Sequence, residues 1–367
     1  MTPPAVIKET VLPADKTVVK KQKIANGHGK ASAAAADSQA AVTVLNDENV
    51  NTPDARIYEY VSACNPDMPP IPALAHPPEL HASGPTRVIA FDLSAHMGVD
   101  YEATSPNLLA AYVRVLRGES IETQACATSQ AFYVIRGQGK STSTEHSLQV
   151  TYKEGDLFVM PHAAGPILHE AEEDLALYWV TDAPLLKYLG VAPNVKTFEP
   201  TVFRKDVLVA HVTEKNTKTL TPTLWSLLNL LPRHTHQPPH RYCPPLPPSH
   251  PATSCLCGLR LIDRPAHRFL PRRHNSVALD LAVRAAPHGV YTLMGPELGE
   301  DGWVKDPIRL DWATGGSFVT PPGWWHSHHN DSEEDAWVLP MQDAGLYTHM
   351  RSLDIRFSKA NKWPRIE

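Results

Sequence analysis

The feature of this 367-residue chain that most restricts its fold is an internal repeat. The run Gly155-Asp-Leu-Phe-Val-Met-Pro161 matches Gly315-Gly-Ser-Phe-Val-Thr-Pro321, and an earlier match joins residues 105–108 to residues 221–224, a shift of 221 − 105 = 116. A third match, between acidic runs, follows in the same order. Matches in a fixed order indicate two copies of one module, each of ordinary domain size. Chance similarity of strand-and-turn patterns is the alternative.

Short apolar segments bounded by turn residues recur through the first copy, at 87–93, 108–116, 131–136, 148–152, 156–160 and 175–180. Their length and spacing predict an all-β sandwich or barrel, with one short helix near 185–189. The Ala- and Ser-rich start has almost no aromatic residues, which predicts a disordered tail over 1–55. We place the two domains at 56–200 and 201–350 and a C-terminal extension at 351–367.

Charge and composition exclude several classes of function. The net charge of −5 is spread along the chain, with no basic face of the kind that binds nucleic acid. There is no run of eighteen apolar residues and no signal-like start, so we expect neither a membrane span nor secretion, and a cytoplasmic location is the default. Five unevenly spaced cysteines do not form a disulfide framework.

The stretch Thr320-Pro-Pro-Gly-Trp-Trp-His-Ser-His-His-Asn330 carries the strongest chemical signal. His326 and His328 are two residues apart, so on an extended strand they point to the same face. Neutral imidazole is the commonest side-chain ligand of metals. The stretch therefore predicts a metal site, with a solvated, His-rich turn as the alternative.

These motifs resemble those of the cupin family. The resemblance rests on Pro-Pro-His240-Arg241, on the Gly315–Pro321 run and on Pro-Gly-Trp-Trp-His-Ser-His, and it covers about residues 85–350. It implies two tandem cupin (jelly-roll β-barrel) domains. The doubled arrangement is similar to the gentisate 1,2-dioxygenase branch of bicupins, which includes salicylate- and hydroxynaphthoate-cleaving relatives.

The resemblance implies a mononuclear metal centre in the C-terminal module. Its ligands would be His240, His274 and His326, with His328 as a hydrogen-bond donor or proton carrier beside them; coordination by His328 is the alternative. The family implies Fe(II), whereas the ligand types alone are also compatible with Zn, Mn, Ni or Cu.

The implied reaction is ring opening of an ortho-hydroxy-carboxylate aromatic such as gentisate or salicylate, with O2 as co-substrate. Arg241 or Arg284 is a candidate partner for the substrate carboxylate, because a guanidinium pairs with it through two hydrogen bonds. Trp324 and Trp325 are candidate walls of an aromatic pocket. A surface position for the arginines and ordinary packing for the tryptophans are the alternatives.

The segment 242–273 interrupts the resemblance. Removing it gives Pro-Pro-His-Arg-His-Asn-Ser, which restores the family motif. It also aligns Cys126 of the first module with His274, because their separation of 148 residues is the repeat shift of 116 plus the 32 removed residues. The segment is rich in Pro, Cys and Arg. A translated intron, an insertion at the barrel mouth and a natural functional loop are the three interpretations.

The first module departs from the family at its ligand positions. It has Gln124-Ala-Cys126 where His-x-His is expected, and His162 and His169 follow Pro161 at other spacings. We expect this module to bind no catalytic metal and to serve as a structural or dimerising partner. The resemblance is compatible with a homo-oligomer. A non-enzymatic bicupin that binds a small molecule, with decayed metal sites, is the alternative to a dioxygenase.

Overall fold

The computed structural model of the chain describes residues 68–163, 165–210, 256–257, 260–262 and 270–359. Strands dominate these residues, which confirms the all-β prediction. The predicted tail and the residues His240 and Arg241 lie outside the described residues. In the described part of the chain, the helices lack the combination of length and apolar character needed to cross a bilayer.

The N-terminal half contributes one six-stranded and one four-stranded sheet. The six-stranded sheet has the order β11-β8-β5-β10-β3-β2 and the four-stranded sheet the order β4-β9-β6-β7. The strands of this half, in chain order, are β1 (Ala75–His76), β2 (Arg87–Ala90), β3 (Leu109–Val115), β4 (Ser120–Thr123), β5 (Ser129–Arg136), β6 (Gln138–Ser143), β7 (Leu148–Lys153), β8 (Leu157–Pro161), β9 (Ile167–Ala171), β10 (Leu175–Thr181) and β11 (Thr201–Phe203).

The C-terminal half repeats this plan. A six-stranded sheet has the order β1-β18-β15-β20-β12, with β13 also paired to β20, and a five-stranded sheet has the order β17-β16-β19-β14-β21. Its strands are β12 (Leu256–Cys257), β13 (Arg260–Ile262), β14 (Arg272–His274), β15 (Ala278–Arg284), β16 (Val290–Gly295), β17 (Ile308–Asp311), β18 (Ser317–Thr320), β19 (Trp325–Asn330), β20 (Ala336–Gln342) and β21 (Ile355–Phe357). The described pairings are antiparallel.

The repeat found in the sequence corresponds to matching structural elements. Gly155 and Gly315, with φ angles of +88° and +82°, precede β8 and β18 in the two halves. Glycine adopts this left-handed conformation without the steric cost that a side chain would add. The last long strand of each half leads into a short helix. Helices of the described residues include α1 (Glu79–Ala82), α2 (Ser94–Met97), α3 (Ala183–Leu189) and α4 (Ala344–His349).

Among the described residues, three apolar cores explain why the central strands are buried on both faces. One core joins the two six-stranded sheets and includes Tyr112, Tyr178, Leu279 and Leu281. Each six-stranded sheet also packs against the smaller sheet of its own half, which forms the interior of a barrel. A strand that is covered on both faces reads as a continuous apolar run, as β10 does. The fold is therefore two barrels joined back to back.

One strand from the N-terminal half and several polar contacts join the two barrels. The short strand β1, from the N-terminal half, pairs with β18 of the C-terminal sheet. The Tyr112 hydroxyl donates to the carbonyl of Gly315 at 3.0 Å, and the Asn107 amide donates to the Asp343 carboxylate at 2.7 Å. The side chain of Asp343 also accepts the backbone N–H of Val277 at 2.9 Å.

Candidate functional site in the C-terminal barrel

The candidate site lies where β14 and β19 are neighbours in the five-stranded sheet. Arg272 is directly opposite His326 in the register of the two strands. Residues two apart on a strand share a face, so His274 lies beside Arg272, and His328 beside His326. All four residues are buried, with 2–3% of their surface exposed, whereas Arg273 between the first pair is half-buried. The strand pleat therefore brings four basic side chains together inside the barrel.

His274 and His326 are two of the three predicted metal ligands, and the structure places them in contact. Their ring centroids are 4.8 Å apart. The Nδ1 atom of His274 lies 2.8 Å from the carbonyl of Ser276, and that of His326 lies 3.2 Å from the carbonyl of Trp324. A carbonyl only accepts hydrogen bonds, so Nδ1 carries the proton and Nε2 keeps a lone pair.

Burial keeps both imidazoles neutral. It lowers the pKa of His274 to about 4 and that of His326 well below its ordinary value, because charging a group away from water is unfavourable. The nearby cation of Arg272 lowers both pKa values further. Both Nε2 atoms are therefore unprotonated acceptors at neutral pH.

Arg272 supplies a positive charge at the centre of the cluster. Its Nε donates a hydrogen bond to His326 Nε2 at 3.3 Å. Burial lowers the pKa of Arg272 to about 10, and the charge of Asp280 opposes that shift. The guanidinium thus stays protonated at neutral pH. The lone pair that a metal ion would need on His326 is occupied by an N–H group of this arginine.

Asp280 faces the cluster from the opposite sheet. Its neighbours Leu279 and Leu281 pack in the core between the barrels, so the alternation of β15 turns Asp280 towards the barrel interior. Its carboxylate accepts a hydrogen bond of 2.8 Å from the Thr320 hydroxyl. Burial raises the pKa of Asp280 to about 6, although Thr320 and Arg272 act in the opposite direction.

His328 lies beside His326, with ring centroids 5.7 Å apart, and is held by a hydroxyl. Its Nδ1 is 2.9 Å from the Thr292 hydroxyl, which also accepts the indole N–H of Trp312 at 2.9 Å. Burial is the main cause that lowers its pKa well below the ordinary histidine value. His328 is therefore a neutral side chain next to the cluster, and its role in proton transfer stays a prediction.

The three predicted pocket residues lie in different environments. Trp324 is partly buried and packs against the apolar core of the C-terminal barrel. Trp325 is also partly buried, with the guanidinium of Arg273 at 5.1 Å from its ring centroid. Arg284 is at the surface, where it forms a 3.1 Å ion pair with Glu334 and its side chain is 57% exposed. The structure thus places Arg284 apart from the buried histidines.

The described residues do not fit a complete metal centre. Within the ranges that the structure describes, no group of three or more His, Cys, Asp or Glu side chains is arranged to hold a metal ion. Beside the Nε2 lone pairs of His274 and His326 lies the guanidinium of Arg272, which has no lone pair and repels a divalent cation. His240, the third predicted ligand, lies outside the described residues.

The N-terminal barrel has a different interior. His169 is fully buried there, and both of its ring nitrogens are hydrogen-bonded to hydroxyls, Thr123 at 2.8 Å and Ser141 at 2.6 Å. Cys126, which aligns with His274 in the repeat, is exposed. Stacked aromatic rings, among them Phe132 and Phe158 at 4.8 Å, fill the space. That this module binds no catalytic metal stays a prediction.

Sequence reasoning missed Arg272, a member of the cluster, and Asp280, which faces the cluster from the opposite sheet. Arg272 falls within the interrupting segment 242–273, although it stands two residues before His274 on what becomes β14. That spacing is the signal that could have identified it. No comparable signal marks Asp280, because it sits in an apolar run that is buried on both faces.

Comparisons with known proteins relate the fold to that of aromatic-acid dioxygenases. No protein-family model matches the chain, and no curated protein matches it in sequence. The solved structure of a mutant salicylate 1,2-dioxygenase from Pseudoaminobacter salicylatoxidans, in complex with gentisate, is similar with a TM-score of 0.58 and 12% identity, over 82% of this chain and 90% of that one. Adducts of the same enzyme with gentisate give a TM-score of 0.57 and 13% identity, over 81% and 88% of the two chains.

At this level of identity the similarity establishes the fold alone. A cupin 2 conserved barrel domain protein from Leptotrichia buccalis is also similar, with a TM-score of 0.41 and 14% identity, over 72% of this chain and 92% of that one. The described residues therefore share with the salicylate 1,2-dioxygenase structures an architecture of two tandem antiparallel β-barrels.

Proposed function

We propose that this protein binds a small aromatic acid, with a hydroxyl group ortho to its carboxylate, at the Arg272 cluster of the C-terminal barrel, and that it does so without a resident metal. The observation that carries the proposal is the buried positive charge of Arg272 beside the neutral side chains of His274 and His326. A guanidinium pairs well with a carboxylate, because it donates two parallel hydrogen bonds to the two oxygens.

The surroundings of Arg272 suit an aromatic acid. The unprotonated Nε2 of His274 is an acceptor for a ligand hydroxyl group, and flat imidazole rings pack against an aromatic ring. One enzyme of similar fold, salicylate 1,2-dioxygenase, was crystallised with gentisate in two of the structures compared, which supports this ligand class. Asp280, across the barrel, accepts from Thr320 and disfavours a ligand that carries a second negative charge on its side.

Ring cleavage by a mononuclear Fe(II) dioxygenase is the second candidate function. The observation that favours it is the matched orientation of His274 and His326, since each directs Nδ1 to a backbone carbonyl and keeps Nε2 as a lone pair. Fe(II) would supply the redox chemistry with O2, and His240 would be the third ligand. The Arg272 Nε, however, donates to the His326 Nε2 that a metal would need, so we place this candidate second.

Calorimetry and oxygen uptake test the two candidates on the full-length protein. Salicylate, gentisate and 1-hydroxy-2-naphthoate are titrated in the presence of EDTA, and oxygen consumption is measured separately after anaerobic reconstitution with Fe(II). The first candidate predicts that at least one acid binds with EDTA present and that no oxygen is consumed. Oxygen uptake that depends on both Fe(II) and the acid, with no binding in EDTA, supports the second.

A matched pair of variants locates the acid. Arg272→Met keeps the length of the side chain but removes its charge, and Arg284→Met makes the same change at the exposed arginine that is paired with Glu334. Losing a charged hydrogen bond of about 1.5–3 kcal/mol corresponds to a loss of affinity of about 10- to 150-fold. We expect this loss for Arg272→Met and unchanged affinity for Arg284→Met. Equal effects of the two substitutions contradict the proposed position.

A further inference from the structure

We infer that position 272 is the third ligand position of a latent divalent-metal site, whose other two ligands are His274 and His326. The guanidinium of Arg272 prevents a metal from binding at this site. The inference goes beyond the proposed function, because it concerns what the barrel binds when one side chain is changed. It also differs from the site predicted from the sequence, which used His240.

The strand register provides the geometry. Arg272 and His274 are two apart on β14 and share the inner face, and His326 is directly opposite Arg272 on β19. Directly opposed residues of an antiparallel pair have Cβ atoms about 4.5–5.5 Å apart, and neighbours two apart on a strand are separated by about 6.5 Å. At these spacings a histidine at position 272 would be able to direct its Nε2, with those of His274 and His326, to one point at the distance of about 2 Å that a first-row metal requires.

The two histidines already have the orientation of metal ligands. A ligating imidazole typically donates its other ring N–H to a carbonyl or carboxylate, which fixes the ring and its tautomer. The contacts of 2.8 Å for His274 and 3.2 Å for His326 to backbone carbonyls do this. The lone pair of His326 Nε2 points at a cationic group, the Arg272 Nε at 3.3 Å. Part of the arginine side chain thus stands where a metal would receive that lone pair.

Charge explains why the wild-type site stays closed and why one substitution opens it. The guanidinium has no lone pair to offer, and its positive charge repels a second cation nearby. Asp280 faces the cluster from β15 and balances the charge of Arg272. Replacing Arg272 with a neutral histidine adds a third donor and leaves Asp280 without its cation. A divalent metal then restores the charge balance inside the barrel.

Cobalt(II) binding by variants of the full-length protein tests the inference. Arg272→His is compared with wild type and with Arg273→His, a matched control on the neighbouring residue, whose side chain lies over the Trp325 ring. We expect Arg272→His to bind one Co(II) per chain more than wild type, at least 100-fold more tightly than wild type binds at this site, with visible absorption bands of imidazole-bound Co(II). Arg273→His is expected to behave as wild type. Adding His326→Ala to Arg272→His should remove the extra ion and its bands.

Each outcome decides the question. The inference is wrong if Arg272→His gains no Co(II), if Arg273→His gains as much, or if the extra ion survives loss of the His326 side chain. Should circular dichroism show that Arg272→His does not fold, Arg272→Ala is titrated with Co(II) in the presence of imidazole, which supplies the third donor from solution. A gain that requires imidazole supports the inference, and no gain overturns it. Because the readout is the metal, failure of wild type to bind an aromatic acid leaves this result unaffected.

Discussion

Replacing Asp343 with asparagine is expected to change how the stability of this protein depends on pH. Asp343 is 3% exposed, and its carboxylate accepts an N–H group from Asn107 of the other barrel at 2.7 Å and one from Val277 of its own barrel at 2.9 Å. Burial raises its pKa to about 6, although both hydrogen bonds act in the opposite direction. The substitution Asp343→Asn keeps the shape and removes the charge, and rotation of the Asn107 amide by 180° restores its hydrogen bond.

The sign and size of the effect follow from proton linkage. Between the unfolded pKa of about 3.9 and the folded pKa of about 6, the folded state holds a proton that the unfolded state has lost. The contribution of Asp343 to stability is therefore fully present below pH 4 and is lost as the pH rises through 6. At 1.36 kcal/mol per pH unit, a difference of about two units corresponds to about 3 kcal/mol.

Chemical denaturation followed by tryptophan fluorescence, at several pH values from 4 to 7.5, measures this effect. The free energy of unfolding of wild type minus that of Asp343→Asn should fall by about 3 kcal/mol across this range, and taking the difference cancels the titration of other groups. Glu334→Gln, which removes one partner of an exposed ion pair, should show a difference below about 1 kcal/mol at every pH. A wild-type minus Asp343→Asn difference that is constant or rises with pH refutes the reasoning.

Two further predictions concern glycine conformation and the N-terminal barrel, and both are checked by chemical denaturation. Gly315→Ala should destabilise the protein by about 1 kcal/mol more than Gly118→Ala. Both glycines have φ near +80°, so the backbone strain is the same. A Cβ at Gly315 would lie 3.2 Å from His81 Nε2, whereas none of the described atoms lies within 4 Å of a Cβ at Gly118. Equal costs would contradict this. His169→Leu should cost about 2–4 kcal/mol at neutral pH, because two buried hydroxyls lose a partner. Since burial lowers the pKa of His169 to about 3, wild-type stability falls relative to the variant as the pH drops below about 6.5; a cost that grows at low pH would contradict this.

The fold was predictable because its signals are local. Turn glycines such as Gly155 and Gly315, followed by short apolar strands, recur at matching places in the two halves, and the structure places them before β8 and β18. The exchange of β1 into the C-terminal sheet was not predictable, because Ala75–His76 is too short to carry a strand pattern. Such a pairing depends on a partner far along the chain.

The site was predictable only in part, for the same reason. The spacing of His326 and His328 identified the shared face of β19, and the structure shows both side chains buried there. The identity of the residue opposite His326 depends on the register between β14 and β19, which no local pattern encodes. Sequence reasoning proposed a third ligand from residue 240, which lies outside the described residues, and did not consider Arg272, which the register places opposite His326.

One repeat position explains why the site belongs to the C-terminal barrel. The shift of 148 residues that aligns Cys126 with His274 also aligns Phe132 with Asp280, and each of these two side chains faces the interior of its own barrel. In the first barrel Phe132 stacks on Phe158 at 4.8 Å and on Trp179 at 5.9 Å, so apolar contacts fill the interior. In the second, the carboxylate of Asp280 balances the guanidinium of Arg272. A buried charge is stable only near an opposite charge, so Arg272 requires a residue such as Asp280 at this position. The first barrel has an aromatic residue there, and its interior is packed with apolar side chains instead.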